Sequence, residues 1–271
     1  ACPFVVVQDV SADTDTARLA HVLLPAAAWA EKSGTVTNSE RRISRQRAVL
    51  PAPGQARDDW RILAGVAGRM GWERAFSWAN PAAIFAEHAA LSGVAGGLGS
   101  DFDISDHAGI AAADYAALAP FIWPANPRQR GGRFFGEGRF HTPDGKARMQ
   151  PVVPPPAQPN AKAAFRLNTG RIRDQWHTMT RSGKSPRLST HLAEPFLELN
   201  PADAARLDLM PADLVALENP LGRAILRVLV TDRVASGQPF APIHWTGETA
   251  PSGRIDALVA ANPDPVSGQP D

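Results

Sequence analysis

Residues 168–180 read Asn168-Thr169-Gly170-Arg171-Ile172-Arg173-Asp174-Gln175-Trp176-His177-Thr178-Met179-Thr180. One turn glycine, two arginines, an acid, a tryptophan, a histidine and three threonines fall within thirteen residues. A packed core has no use for that mixture, because charged side chains are rarely buried unless paired. A loop that holds a large, polar, phosphate-bearing ligand does. Thr169-Gly170 after a strand gives a tight turn whose amides can face an acceptor. Arg171 and Arg173 offer guanidinium forks for phosphate or carboxylate. Trp176 and His177 supply flat stacking or donor groups. The plainer alternative is a surface loop with incidental aromatics. The short apolar run 164–167 just before it is the strand that would position the loop.

Other chemistry-bearing patterns are weaker. Ser182-Gly183-Lys184-Ser185 resembles the end of a phosphate-binding loop, but Thr178 stands where the earlier glycine belongs and Pro186 follows at once. Asp101, Asp103 and Asp106 imitate a calcium loop without its glycine and terminal glutamate, and read as solvated acids. The seven histidines lack tight metal spacing, and no nucleophile-elbow motif occurs. Residues 40–47 contain Arg41, Arg42, Arg45 and Arg47. Three readings stand for them: a solvated basic face, a phosphate-contacting patch for nucleic acid, or a loop packed near an anionic cofactor.

Composition narrows the classes. The 271 residues are 44% apolar and 20% charged, enough to bury a core in one large or two ordinary domains. The net charge of +1 gives no global attraction to nucleic acid or a membrane surface. The single cysteine, Cys2, excludes a disulfide framework and a cysteine-ligated iron–sulfur cluster within this chain. A reducing, cytoplasmic setting fits that usage. The longest mostly apolar run, residues 21–30, is too short to span a bilayer and contains Pro25. There is no secretory signal and no initiator methionine, so the chain reads as a piece of a longer protein.

The elements follow from pattern. Residues 4–7 form a continuous β-rich run that predicts a buried parallel strand, with Gln8-Asp9 at its carboxyl end, where open α/β sheets place ligand loops. A short helix over 14–20 and a strand over 22–24 complete a β-α-β rhythm. Residues 31–47 predict a loop, marked by Gly34 and Asn38. A helix is expected over 60–70, opened by Asp59 and stopped by Gly71. Residues 73–120 predict helix in pieces, with a glycine-rich break over 91–99. The best linker is 151–160, where five prolines preclude regular structure. After it the texture turns to short strands, over 214–218, 224–230 and 240–245. Asn200-Pro201 opens the one intervening helix. This predicts a partial α/β domain over 1–150 and a small β-barrel domain over 161–271.

Several segments in order carry a family likeness. The 168–180 loop, then Pro195-Phe196-Leu197-Glu198-Leu199-Asn200-Pro201, resembles the C-terminal domain of the molybdopterin oxidoreductases, and among them the bacterial assimilatory nitrate reductase catalytic subunits. Leu23-Leu24-Pro25, Trp29-Ala30-Glu31-Lys32, Gly34-Thr35, Asn38-Ser39-Glu40-Arg41-Arg42, Asp59-Trp60, Phe140-His141-Thr142-Pro143-Asp144-Gly145-Lys146 and Asp264-Pro265 are similar to the same family in the same order. The likeness is discontinuous but spans nearly the whole chain.

The resemblance implies a partial Rossmann-like α/β domain followed by a six-stranded double-psi β-barrel. It implies molybdenum held between two molybdopterin guanine dinucleotides, a 4Fe-4S cluster in an N-terminal region outside this chain, an electron-donor protein or domain, and reduction of nitrate to nitrite. Nucleic acid and membrane are not expected partners. By matching position, the cofactor-binding residues are Gln8, Asp9, Lys32 and Asp59, the loop Thr169, Gly170, Arg171, Trp176, His177 and Thr178, and then Trp245 and Asp256. Trp245 falls near a position bordering the substrate funnel, and Asp256 near a pterin contact that is usually asparagine. No residue of the chain is expected to be a catalytic acid, base, nucleophile or metal ligand. Cys2 is in the wrong place in the family order to ligate molybdenum. Residues 209–212 lack the usual glycines, and a lysine expected after Gln269-Pro270 is absent. Formate dehydrogenases share the cofactor loops, so a relative of those is the alternative oxidoreductase. A noncatalytic binding module is the alternative from another class.

Overall fold

The computed structural model describes residues 2–149, 151, 164–265 and 267–268. The proline-rich linker expected over 151–160 lies, apart from Pro151, outside the described residues, as do Gln269 and Pro270. The chain divides into two compact units, Ala1–Pro151 and Val152–Asp271.

The first unit opens with β1 (Val6–Asp9), α1 (Asp15–Arg18) and β2 (Val22–Pro25). The two strands pair in parallel, Val6 opposite Val22 and Asp9 opposite Pro25. Gln8 and Asp9 therefore lie inside the strand rather than after it, because their partners Leu24 and Pro25 carry the ladder two residues further than apolar pattern shows. Thr14 caps α1 by accepting from the Ala17 amide at 3.0 Å.

The expected loop over 31–47 is instead a hairpin of β3 (Gly34–Thr37) and β4 (Arg42–Gln46). Asn38 builds its turn by accepting from the Glu40 and Arg42 amides, each at 3.0 Å. Two helices follow, α2 (Asp59–Arg69) and α3 (Pro81–Gly97). Asn80 caps α3, with Pro81 at its first turn. The glycine-rich stretch expected to break the chain is helical through Gly97. A Cβ on Gly93 would stand 2.8 Å from Ser105 Cβ, and one on Gly96 would stand 2.8 Å from Asp103 Oδ2. These glycines permit close approach rather than a turn. After α4 (Ala112–Ala117), β5 (Phe121–Ile122) pairs with β4, and β6 (Ala125–Asn126) pairs with β7 (Gln129–Arg130). Ile43, Phe85, Ala89, Ile104, Tyr115 and Ala125 form the core.

The second unit contains β8 (Asn168–Gly170), α5 (Pro186–Ser189), β9 (Phe196–Leu199), α6 (Pro201–Arg206), β10 (Leu214–Asn219), β11 (Gly222–Val230) and β12 (Phe240–Pro242). Their sheet runs β10-β11-β9-β12-β8. β10 and β11 form an antiparallel hairpin, while β9 lies parallel to β11 and β8 parallel to β12. The strand expected over 164–167 falls instead at 168–170. The chain ahead of it is held irregularly, through Arg166 N–H to Gly237 O at 2.8 Å, with Phe165 and Leu167 packed on the core. The strand expected over 240–245 stops at Pro242, and Ile243 N–H turns to Gly170 O at 3.0 Å.

Asn200 caps α6, accepting from the Ala202 amide at 2.9 Å. Asp203, in the first turn of that helix, is 2% exposed. It accepts from Gly237 N–H at 2.7 Å, Ser236 Oγ at 3.0 Å and Arg206 Nη2 at 2.9 Å. Among the described residues no helix is long and apolar enough to cross a membrane.

Candidate functional site

In the second unit, the 168–180 loop leaves the carboxyl end of β8 with its backbone tied from below. Ile172 N–H donates to His244 Nε2 at 2.9 Å, and His244 Nδ1 faces the carbonyl of His177 at 2.5 Å. Gln175 and Ser182 are buried and hydrogen-bonded to each other, and Met179 is buried beside them. His177 and Met179 adopt left-handed backbone at φ 46° and 60°.

What remains outward is the set of types that suggested a ligand loop. Thr169, Arg171, Arg173, Trp176, His177 and Thr178 are exposed. Arg171 Nη2 lies 3.1 Å from His177 Nδ1, whose ring meets Trp176 edge-on at 4.5 Å. The Arg181 guanidinium sits 5.5 Å from the Trp176 ring centre, and Trp176 is 52% exposed. The Arg173 side chain is 94% exposed, 3.6 Å from the Asp174 carboxylate. Asp174 also pairs with His191, whose hydrogen bond holds the carboxyl below the usual carboxylate range. Gly170 sits close under the Phe240 ring, which a Cβ there would meet at 3.0 Å.

The neighbouring Ser182-Gly183-Lys184-Ser185 has a structural reason. A Cβ on Gly183 would stand 2.8 Å from Met179 O, and Lys184 is ion-paired with Glu248. Trp245 is not on the open face of the loop. It is 3% exposed and packs edge-on with His244 at 6.4 Å. Asp256 lies in the 255–258 turn, paired with Arg254 at 3.0 and 3.2 Å.

In the first unit, three of the expected residues meet. Gln8 Nε2 donates to Asp59 Oδ1 at 2.6 Å, and Lys32 Nζ binds Asp59 Oδ2. Asp59 is the first residue of α2, and Gln8 comes from the carboxyl half of β1. Burial opposes ionisation of Asp59, but the hydrogen bonds from Lys32 and Gln8 outweigh it and hold the carboxyl below its ordinary range. This interaction is therefore at full strength above the unfolded pKa and fades as pH falls through the folded one. Lys32→Met should raise the pH at which Asp59 titrates by NMR; an unmoved titration would show that the ammonium contributes nothing. Asp9 is separate from this cluster, its Oδ1 accepting from Ser11 N–H at 3.2 Å.

Three of the four guanidiniums of the basic run face carbonyls and rings of their own unit, which tells against a freely solvated basic face and an open phosphate-contacting patch. Arg41 donates to Trp123 O at 2.7 Å and to Gly132 O, with its guanidinium 4.1 Å from the Phe134 ring centre. Arg45 lies 3.8 Å over Tyr115, and Arg47 donates to Ala116 O at 2.9 Å. The acids of the calcium-like pattern go separate ways: Asp101 to His141 at 2.7 Å, Asp103 to the Ser105 amide at 2.9 Å, Asp106 to Arg130 at 2.8 Å. Among the described residues no group of three or more His, Cys, Asp or Glu could hold a metal ion. Sequence reasoning missed His244. Its only local signal is a histidine just past a strand end, and what marks it out is a pair of partners far away in sequence.

Residues 165–271 match the Molydopterin dinucleotide binding domain, and residues 1–69 match the Molybdopterin oxidoreductase family. A nitrate reductase of Klebsiella oxytoca is 48% identical over 272 residues, covering 100% of this chain and 31% of that protein. The F420-dependent formate dehydrogenase subunit alpha of Methanocaldococcus jannaschii is 32% identical, covering 89% of this chain and 34% of that protein. Among solved structures, the acetylene hydratase of Pelobacter acetylenicus superposes with a TM-score of 0.69 at 20% identity, over 99% of this chain and 39% of that one, which shows a shared mixed α/β fold. The chain spans about a third of the length of the curated relatives it matches. It belongs to the molybdopterin oxidoreductase family.

Proposed function

We propose that this chain is the part of a molybdenum nitrate reductase that holds the guanine dinucleotide ends of a bis-molybdopterin cofactor. The observation that carries the reading is the 168–180 loop, whose polar and aromatic side chains stand outward on a backbone fixed by buried groups, within a segment that matches a dinucleotide-binding domain. The donor set suits the group. Arg171 and Arg173 are exposed guanidiniums fit for phosphate, and Trp176 offers a half-open ring for a flat base.

Asp9 supplies a carboxylate for the donor edge of a guanine. Gln8, Lys32 and Asp59 form a polar cluster at the end of a parallel strand pair, which is the usual place for a ligand in such sheets. Asp256 adds a contact towards the pterin, and Thr169, Gly170, His177 and Thr178 complete the loop. Trp245, being buried, would act on the funnel only by supporting what lines it. When bound, the molybdenum centre supplies the oxygen-atom transfer that converts nitrate to nitrite. This chain binds and orients. The metal ligand, a 4Fe-4S cluster and the electron-donor contact belong to other parts of a longer, cytoplasmic polypeptide. The five-stranded sheet of the second unit is part of a six-stranded double-psi barrel in this reading.

Nitrate is favoured over formate because the nitrate reductase similarity is 48% against 32%. The test is Arg171→Ala in the full-length protein. Loss of one charge-assisted phosphate contact should weaken cofactor retention about tenfold or more, read as molybdopterin content after purification. Unchanged content would remove the assignment. Turnover of formate but not nitrate by the intact protein would shift it to the formate dehydrogenases.

A further inference from the structure

We infer that His244 is the positioning residue that shapes the 168–180 loop, and through that shape sets its hold on an anionic dinucleotide. The inference rests on the cofactor reading above but concerns a side chain that touches no ligand. His244 is completely buried. A buried imidazole must have both ring nitrogens satisfied, and here both partners come from the loop. Nε2 accepts the Ile172 amide at 2.9 Å, so it carries no proton. Nδ1 lies 2.5 Å from the His177 carbonyl, which can only accept, so Nδ1 carries the proton. One ring thus bridges the two ends of the Ile172–His177 turn.

Between those two pins the chain must bulge outward, and that bulge presents Arg173 and Trp176. The far pin falls on His177, the first of the loop's two non-glycine residues in left-handed backbone. That conformation is unfavourable for an L residue and persists only where its surroundings over-determine it. The ring itself is held in place by the adjoining strand pair. β12 lies parallel to β8, and the Ile243 amide closes on Gly170 O at 3.0 Å. The loop is therefore shaped by a donor–acceptor bridge on a fixed support, which is the arrangement that keeps a binding loop open without its ligand.

Three substitutions in the full-length protein test this. His244→Phe keeps a ring and removes both bonds. His244→Gln keeps an acceptor near the Nε2 position. His244→Asn keeps a donor near the Nδ1 position. The first should raise amide hydrogen exchange over 171–178 about tenfold or more and lower molybdopterin content in parallel. Peptides from β10 and β11 should stay protected. The other two should fall between it and wild type on both readouts, which a simple loss of core packing would not produce. If His244→Phe does not fold, the Gln and Asn variants decide alone, and wild-type exchange and cofactor content in both would overturn the inference. Arg171→Ala separates the two levels. Normal content in Arg171→Ala defeats the cofactor reading itself, whatever His244→Phe shows. Depleted content in Arg171→Ala with normal content in His244→Phe defeats only the role of His244.

Discussion

Asp203→Ala should destabilise the second unit by about 3 kcal/mol, among the larger effects available to one substitution. The carboxylate is buried and takes three hydrogen bonds, from Gly237 N–H, Ser236 Oγ and Arg206 Nη2. Alanine takes the acceptor from the half-buried Gly237 amide and removes the two further bonds to a charged group, and hydrogen bonds to a charge contribute about 1.5–3 kcal/mol each. The same contacts hold the Asp203 carboxyl below its ordinary range, the Gly237 amide first among them. A depressed folded pKa means that the stabilisation is complete above the unfolded value near ~3.9. It is lost as pH falls through the folded one. Urea midpoints measured from neutral pH downward should drop more steeply for the wild type than for Asp203→Asn. Parallel curves for the two would show that Asp203 is not the titrating group.

A single methyl group on Gly222 should be nearly as costly. Its Cβ would lie 2.4 Å from Ala257 O and 3.2 Å from the carbonyl carbon of the same residue. Backbone cannot swing aside as a side-chain tip can, so the clash must open the contact between the β10–β11 hairpin and the 255–258 turn. That contact includes Asn219 Nδ2 donating to Leu258 O at 2.7 Å. Overpacking of this kind costs about 1–3 kcal/mol, so Gly222→Ala should lower the melting temperature by several degrees. It should also displace Asp256, which rides on that turn. An unchanged melting temperature would show that the turn yields freely.

Elements whose cause is local were legible from the residues alone. Asn200-Pro201 announces α6 because a cap side chain and a proline act within one turn. Asp59 and Gly71 bracket α2 by other local means, an acid in its first turn and a glycine in left-handed backbone just past its end. The hairpin at 34–46 was hidden because β4, Arg-Ile-Ser-Arg-Gln, has one apolar residue, and the partners of Arg45 within it (Tyr115) and of Arg41 in the turn before it (Trp123, Phe134) are at least seventy residues away. Gly93 and Gly96 looked like breakers because nothing nearby in sequence shows that Ser105 and Asp103 crowd them. The polar and aromatic loop at 168–180 was visible by side-chain type, which is a local property. The histidine beneath it was not, because a structural imidazole is defined only by partners that the fold brings to it.

The parallel pairing of β8 with β12 also bears on biosynthesis. Ile172 and His244 are 72 residues apart, which at ~5–20 residues per second separates their emergence by roughly 4–14 s. β8 is an edge strand whose partner among the described residues is β12. During that interval the loop has neither its neighbour strand nor the imidazole that bridges it. It is a bare, arginine-bearing segment on a nascent chain, open to proteases and chaperones alike. A chain arrested before Phe240 should be cleaved by trypsin at Arg171 and Arg173 faster than the released protein. The folded form of this loop therefore has to wait for residues 240–244 to be made.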